Sequence, residues 1–309
     1  MTKIKAWLYA ARLRTLPLSV SGVIVGTALA KYHGNSDTLI FILALLTTIG
    51  FQITSNFAND YGDGVKGTDN ALRIGPKRAL QGGLLSQKEL KHGIIVSIII
   101  SLILVIGVVS YAFGTEQIAY LLLFSVLGVF SLWAAIKYTV GKSAYGYHGL
   151  GDLFVFVFFG LLAVLGSMFL YTKFITLQAL LPATAIGLLC TAVLNLNNLR
   201  DFESDKEANK NTLVVLMGFQ NGKKYHYALL LIAFLCTLCF IALNFDNWQA
   251  YIPLLAFVFI FVHLRKVYNT KDPILFDPEL KKLALSTFFL ALLIFISCYN
   301  IFNFDIQTT

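Results

Sequence analysis

The sequence predicts an all-α integral membrane protein of nine transmembrane helices. Three observations predict it. Of 309 residues, 57% are hydrophobic and only 13% charged, about half the charged share usual in soluble domains. Mean hydropathy is +0.74, more apolar surface than one soluble core can hide. The charged residues are also segregated, absent from long stretches and crowded into short ones.

A bilayer core about 30 Å thick takes about 20 apolar helical residues to cross. Nine runs meet that length: 16–32, 39–58, 93–113, 118–137, 153–171, 176–199, 227–244, 249–267 and 283–303. Helices satisfy their own backbone in lipid, so each run reads as a helix. Pro17, Pro182 and Pro253 stand near the starts of three of them. With the N-terminus cytoplasmic, alternation places 22 of the 24 Lys and Arg residues inside and leaves only Lys31 and Lys173 outside. The positive-inside rule thus supports both the span count and an orientation with the C-terminus on the opposite side. It also explains a pI near 9.2 without nucleic acid, because the basic residues sit between apolar runs. No cleavable signal peptide is apparent, and 1–309 reads as a single membrane domain.

Cys190, Cys236, Cys239 and Cys298 all lie inside apolar runs, where a thiol reads as packing rather than as a zinc or redox site. His33, His92, His148, His226 and His263 are scattered without ligand spacing. No Walker-type phosphate loop is present.

Chemistry concentrates in two long cytoplasmic loops, 59–92 and 200–226, each following an even-numbered span and opening with Asn and Asp, as an internal repeat would. The first motif is Asn56-Phe-Ala-Asn59-Asp60-Tyr61-Gly-Asp63. The second is Asn197-Asn198-Leu-Arg200-Asp201-Phe-Glu203-Ser-Asp205. If the spans continue helically, Asn56, Asp60 and Asp63 share one stripe, and Asn197, Asp201 and Asp205 share another. Carboxylates at a membrane boundary are tolerated facing a polar cavity, not lipid. Two facing acidic stripes repel unless cations lie between them. Mg²⁺, commonly held by one or two carboxylates plus substrate phosphates, suits that place. Lys66, Arg73, Lys77, Arg78, Lys206 and Lys210 are near enough in sequence to take the remaining phosphate oxygens. The competing account is a solvated helix end; it serves Glu203 and Glu207 better than a pair of related motifs.

At these motifs the sequence resembles the UbiA superfamily of intramembrane aromatic prenyltransferases. The second motif matches the family's DxxxD; the first departs, with Asp60 and Asp63 spaced DxxD, Gly67 four beyond, and Asp69 out of register. The blocks Arg12-Leu-Arg14-Thr-Leu-Pro-Leu, Asn59-Asp60-Tyr-Gly-Asp63-Gly-Val-Lys-Gly, Arg73-Ile-Gly-Pro, Tyr138-Thr-Val-Gly, Tyr145-Gly-Tyr-His-Gly-Leu-Gly-Asp152, Leu194-Asn-Leu-Asn-Asn-Leu-Arg-Asp201 and Lys210-Asn-Thr-Leu-Val-Val resemble the bacterial 1,4-dihydroxy-2-naphthoate polyprenyltransferases within it. The resemblance implies a nine-helix bundle around a central cavity in the bacterial inner membrane. It implies that Asn56, Asp60, Asp63, Asp201 and Asp205 hold Mg²⁺-diphosphate, with Tyr138 and Lys142 as a YxxxK pair beside it. Lys66, Arg73, Asn197, Asn198 and Lys210 are expected around the substrate. Asp152 is expected to face the cavity, with helix capping as its alternative. The implied reaction moves a polyprenyl chain from its diphosphate to 1,4-dihydroxy-2-naphthoate with decarboxylation, giving demethylmenaquinone. Two alternatives stand: another aromatic acceptor (4-hydroxybenzoate or homogentisate), or a cation-coupled transporter.

Overall fold

A computed structural model describes residues 2–68 and 74–299. Among them the secondary structure is helical, apart from one isolated bridge between His148 and Asn211. The chain opens with a short helix, α1 (Lys3–Ala11), capped by Thr2 and ended by a left-handed Arg12. The membrane-length helices follow: α2 (Leu16–Tyr32), α3 (Thr38–Lys66), α4 (Gln87–Phe113), α5 (Ile118–Lys137), α6 (Gly151–Thr172) and α7 (Leu177–Arg200). After two short helices, α8 (Phe202–Glu207) and α9 (Leu213–Met217), come α10 (Phe219–Asn244), α11 (Trp248–Asn269) and α12 (Pro273–Cys298). Nine helices among the described residues are thus long and apolar enough to cross a membrane. The first predicted span, 16–32, coincides with α2; the others differ mainly where helices project beyond the apolar run.

Local chemistry sets the ends. Asp37 accepts hydrogen bonds from the Leu39 and Ile40 amides at 2.8 and 2.9 Å and starts α3. Ser86 and Glu89 form a reciprocal capping box that starts α4. The helix bearing the first acidic motif does not stop at residue 58. It runs on to Lys66 and ends on Gly67 at φ 75°, a conformation that suits glycine. The expected loop over 59–92 therefore begins with two more helical turns, and these carry the acids.

The backbones come close where side chains are small. A Cβ on Gly26 of α2 would lie 2.3 Å from the Val164 carbonyl oxygen, and one on Gly160 would lie 2.5 Å from Gly187 Cα. Such close approach is the usual way helices associate in lipid. It is matched by a π-helical stretch in α6 from Phe156 to Gly166, a local widening that favours functional sites. In the C-terminal part, His226 Nε2 lies 3.0 Å from His263 Nε2, and His263 Nδ1 lies 2.9 Å from Glu279 Oε2. Lys266 and Lys282 close the chain on Glu279. This buried network ties α10, α11 and α12 together and explains two histidines that sequence spacing left unassigned. The four cysteines are free thiols.

Candidate active site

The acid-bearing ends of α3 and α7 meet at one end of the bundle, together with the 138–150 and 201–218 segments. The His148–Asn211 bridge joins those two segments. Asp60, Asp63, Asp201 and Asp205 are all buried, none more than 5% exposed, so each must be paired or hydrogen-bonded.

The four are held differently. Asp60 accepts from the backbone amides of Ala79 and Leu80 at 3.0 and 3.2 Å, which folds the loop back over α3. Asp63 accepts from the Tyr147 hydroxyl at 2.8 Å and lies 3.9 Å from Arg78. Asp201 is gripped by its neighbour: Arg200 Nε and Nη2 donate to its two oxygens at 2.9 and 2.7 Å. The same guanidinium donates to Asn197 at 2.8 Å and to Asp277 at 2.6 Å. Asp205 lies 3.7 Å from the ammonium of Lys210.

The centre of the site is Lys210. Burial works against its charge, but the carboxylates of Asp63 and Asp205 outweigh that and hold its pKa above the ordinary lysine value. The Lys66 ammonium sits 3.7 Å over the Tyr147 ring. Burial and the Asp63 charge raise the Tyr147 hydroxyl, so it stays a neutral donor to Asp63. One carboxylate from each motif thus faces a single buried cation.

The other expected residues sort as follows. Tyr138 stands at the mouth of the central cavity, where its ring approaches Gly151. Lys142 is exposed on the same loop, and among the described residues neither a hydrogen bond nor an ion pair engages its ammonium. The Asn56 amide donates to the Ala11 carbonyl at 2.8 Å and accepts from Gln52 at 3.1 Å, fastening the α1–α2 turn to α3. Asn198 is buried beside Asn197. Arg73 and Asp69 lie outside the described residues. Asp152 is buried and its side chain is hydrogen-bonded to Tyr225 of α10, while Thr191 of α7 donates to its backbone carbonyl at 3.4 Å. The N-cap of α6 is Leu150.

Beside this polar centre lies an apolar cavity of about 330 Å³. Ser19, Gln52, Asn59, Tyr138 and Tyr145 line one end; mainly apolar side chains of α2 to α7, with Thr47, Thr48, Ser55, Ser131 and Ser167 among them, line the rest. A second hollow of about 240 Å³ opens by Asp60, walled by Arg12, Arg14, Lys77 and Arg78. Arg12 and Arg14 belong to a motif block to which the sequence assigned no role. Their place was legible only as a cluster of cations next to an apolar start.

Comparison with known proteins decides the family. The UbiA prenyltransferase family matches residues 19–293. The chain belongs to that family. It is similar to the 1,4-dihydroxy-2-naphthoate octaprenyltransferase of Escherichia coli K12, 44% identical over 282 residues and 91% of each chain. The enzyme of the same name from Haemophilus influenzae is 43% identical over 92% of each chain. Among solved UbiA structures, the apo homologue from Aeropyrum pernix K1 superimposes with a TM-score of 0.68 at 15% identity, over 93% of this chain and 98% of that one. The Archaeoglobus fulgidus homologue bound to DMAPP and Mg²⁺ gives 0.61 at 16% identity, with the same coverage. These likenesses establish the UbiA fold in the chain.

Whether the residues suit a divalent ion can be judged from the donors. Among the described residues no three His, Cys, Asp or Glu side chains form a metal cage of their own. Asp63 and Asp205 nonetheless face a shared positive charge, that of Lys210. Two hard carboxylates completed by substrate phosphates are what Mg²⁺ takes, so the donor set fits.

Proposed function

We propose that this UbiA-family protein transfers a polyprenyl chain from its diphosphate to 1,4-dihydroxy-2-naphthoate, with loss of CO₂, in menaquinone biosynthesis. The observation that carries the proposal is the meeting of Asp63 and Asp205 at Lys210, at the mouth of a long apolar cavity. Head group and tail of a prenyl diphosphate need those two environments side by side. The choice of acceptor is supported by relatives of that name at 43–44% identity along nine-tenths of the chain. We place the N-terminus and the acidic end in the cytoplasm, where 22 of the 24 basic residues then lie.

Asp63 and Asp205 would hold the ion, with Asp60 and Asp201 beside them. Bound Mg²⁺ would neutralise charge growing on the departing diphosphate. The chain's own residues do the rest. Lys210, Lys66 and Arg78 offset the negative charge of the diphosphate oxygens. The apolar wall keeps water from the allylic cation. The faces of Tyr138 and Tyr145, at the junction of polar site and cavity, stabilise that cation. As the C–O bond breaks, its electron pair leaves with diphosphate, and the naphthoate ring carbon that carries the carboxylate bonds to C1 of the chain. Loss of CO₂ returns its bonding pair to the ring and restores aromaticity.

The test is direct. Purified protein, Mg²⁺ and octaprenyl diphosphate are incubated with dihydroxynaphthoate, 4-hydroxybenzoate or homogentisate, and products are weighed by mass spectrometry. The expected product has the mass of prenylated dihydroxynaphthoate less CO₂, and EDTA abolishes it. A product with 4-hydroxybenzoate alone would move the assignment to another acceptor. Ion-coupled flux in liposomes with no product would replace the enzyme by a transporter.

A further inference from the structure

The cavity has a definite depth. Its lining on α3 runs from Asn59 to Ala44, and along α5 from Tyr138 at its C-cap to Phe124. These stretches contain fourteen to fifteen helical rises and span about 22 Å. An isoprene unit is four chain bonds of roughly 1.5 Å each and extends about 5 Å, so about four units fit end to end.

At the far end the lining residue Phe124 packs among rings from three helices. Phe124 lies 5.0 Å from Phe113 and stacks on Phe169 at 5.4 Å and 19°. Tyr120 packs on both partners at 5.7 and 5.0 Å. Lys173 fastens this layer. Its ammonium lies 4.5 Å over Phe113 and donates to the carbonyls of Ala112, at 2.7 Å, and Leu170. The ends of α4 and α6 are thereby tied across the aromatic layer, which is built as a fixed floor.

The side wall is different. The α5 backbone packs on α3 and α4. It meets α6 chiefly through rings, Phe130 on Phe158 at 5.7 Å and Phe124 on Phe169. Outside this seam Val126, Val129 and Trp133 are exposed, as in a lipid-facing surface.

We propose that Phe113, Phe124 and Phe169 form the floor that limits the straight, enclosed part of the prenyl chain to about four units, and that later units turn out through the α5–α6 seam into lipid. This rests on the prenyl-transfer function above. Lipid is as apolar as the cavity, so units beyond the floor gain little by being bound. Length discrimination must therefore end at the floor.

Prenyl diphosphates of two, four and eight units are compared as donors to dihydroxynaphthoate. In the unmodified protein, kcat/KM rises about tenfold or more from two to four units and changes less than about threefold from four to eight. Phe124→Trp raises the floor and lowers the four-to-two ratio at least about fivefold. Phe124→Ala lowers the floor and extends the rise beyond four units. Phe113→Leu, one layer deeper, repeats the Phe124→Ala shift more weakly if either variant fails to accumulate. A loss equal at every length, or a ratio unmoved by all three variants, overturns the floor while leaving prenyl transfer intact. No product at any length in the unmodified protein would instead remove the prenyl-transfer function and this inference with it.

Discussion

The two acidic motifs look alike in sequence and are built differently. At the end of α3 the helix runs unbroken through Asp60 and Asp63, and the first acid is clamped by two backbone amides of residues 79 and 80. At the end of α7 the helix stops at Arg200; Asp201 lies between α7 and α8 and is clamped by a guanidinium. Yet the outcome is shared. In each motif the first aspartate is held by the protein, and the second, Asp63 or Asp205, faces Lys210. The four acids are therefore two pairs of unequal members, one fixing the loop and one facing the charge.

That division makes predictions that differ by motif position. The largest effect belongs to the facing pair. Asp63→Asn or Asp205→Asn keeps the shape and removes a charge where transition-state charge must be balanced, so kcat falls by about a thousandfold. The thermal midpoint in detergent stays close to that of the unmodified protein. Turnover within tenfold of the original in either variant breaks the division between facing and fixing acids.

Arg200 comes next. Arg200→Met leaves Asp201 buried without its counter-charge, a loss of about 3–5 kcal/mol in stability. The corresponding experiment on α3 is milder. In Asp60→Asn the amide oxygen still accepts from Ala79 and Leu80, and only the charge assistance is lost, about 1–3 kcal/mol. Denaturation curves for the two variants should keep that order. A reversed order means the α3 clamp is the stronger, and the comparison fails.

How far the sequence foretold this depends on the range of the interaction. The nine spans were legible because each is a local apolar run, and α2 begins and ends at the expected residues. The pairing of the motifs was legible from their repeated Asn and Asp. The clamps were not. Asp60 meets amides twenty residues on, and Asp201 shares its arginine with Asp277, 77 residues away from Arg200. The His226–His263–Glu279 chain likewise joins three helices. The π stretch in α6 has no residue signature; it follows from Gly22, Gly26 and Gly187, which let neighbouring backbones crowd that helix.

The smallest predicted effect separates two lysines that sequence treated alike. Lys210 is buried, and its charge balances Asp63 and Asp205. Its folded pKa is raised above the ordinary 10.5, so its stabilising charge is complete below that value and lost only as pH rises through the higher one. No change in activity or stability between about pH 6 and 9 should come from it. Lys142 is exposed, and among the described residues no carboxylate pairs with it, so a role in binding the incoming diphosphate can be tested separately from folding. Lys142→Ala should therefore raise KM for the prenyl diphosphate about tenfold. The melting midpoint should not move, since surface substitutions usually stay within about 0.5 kcal/mol. A fall in kcat with KM unchanged would place Lys142 in the transition state alone, working beside Lys210 rather than in the capture of the diphosphate.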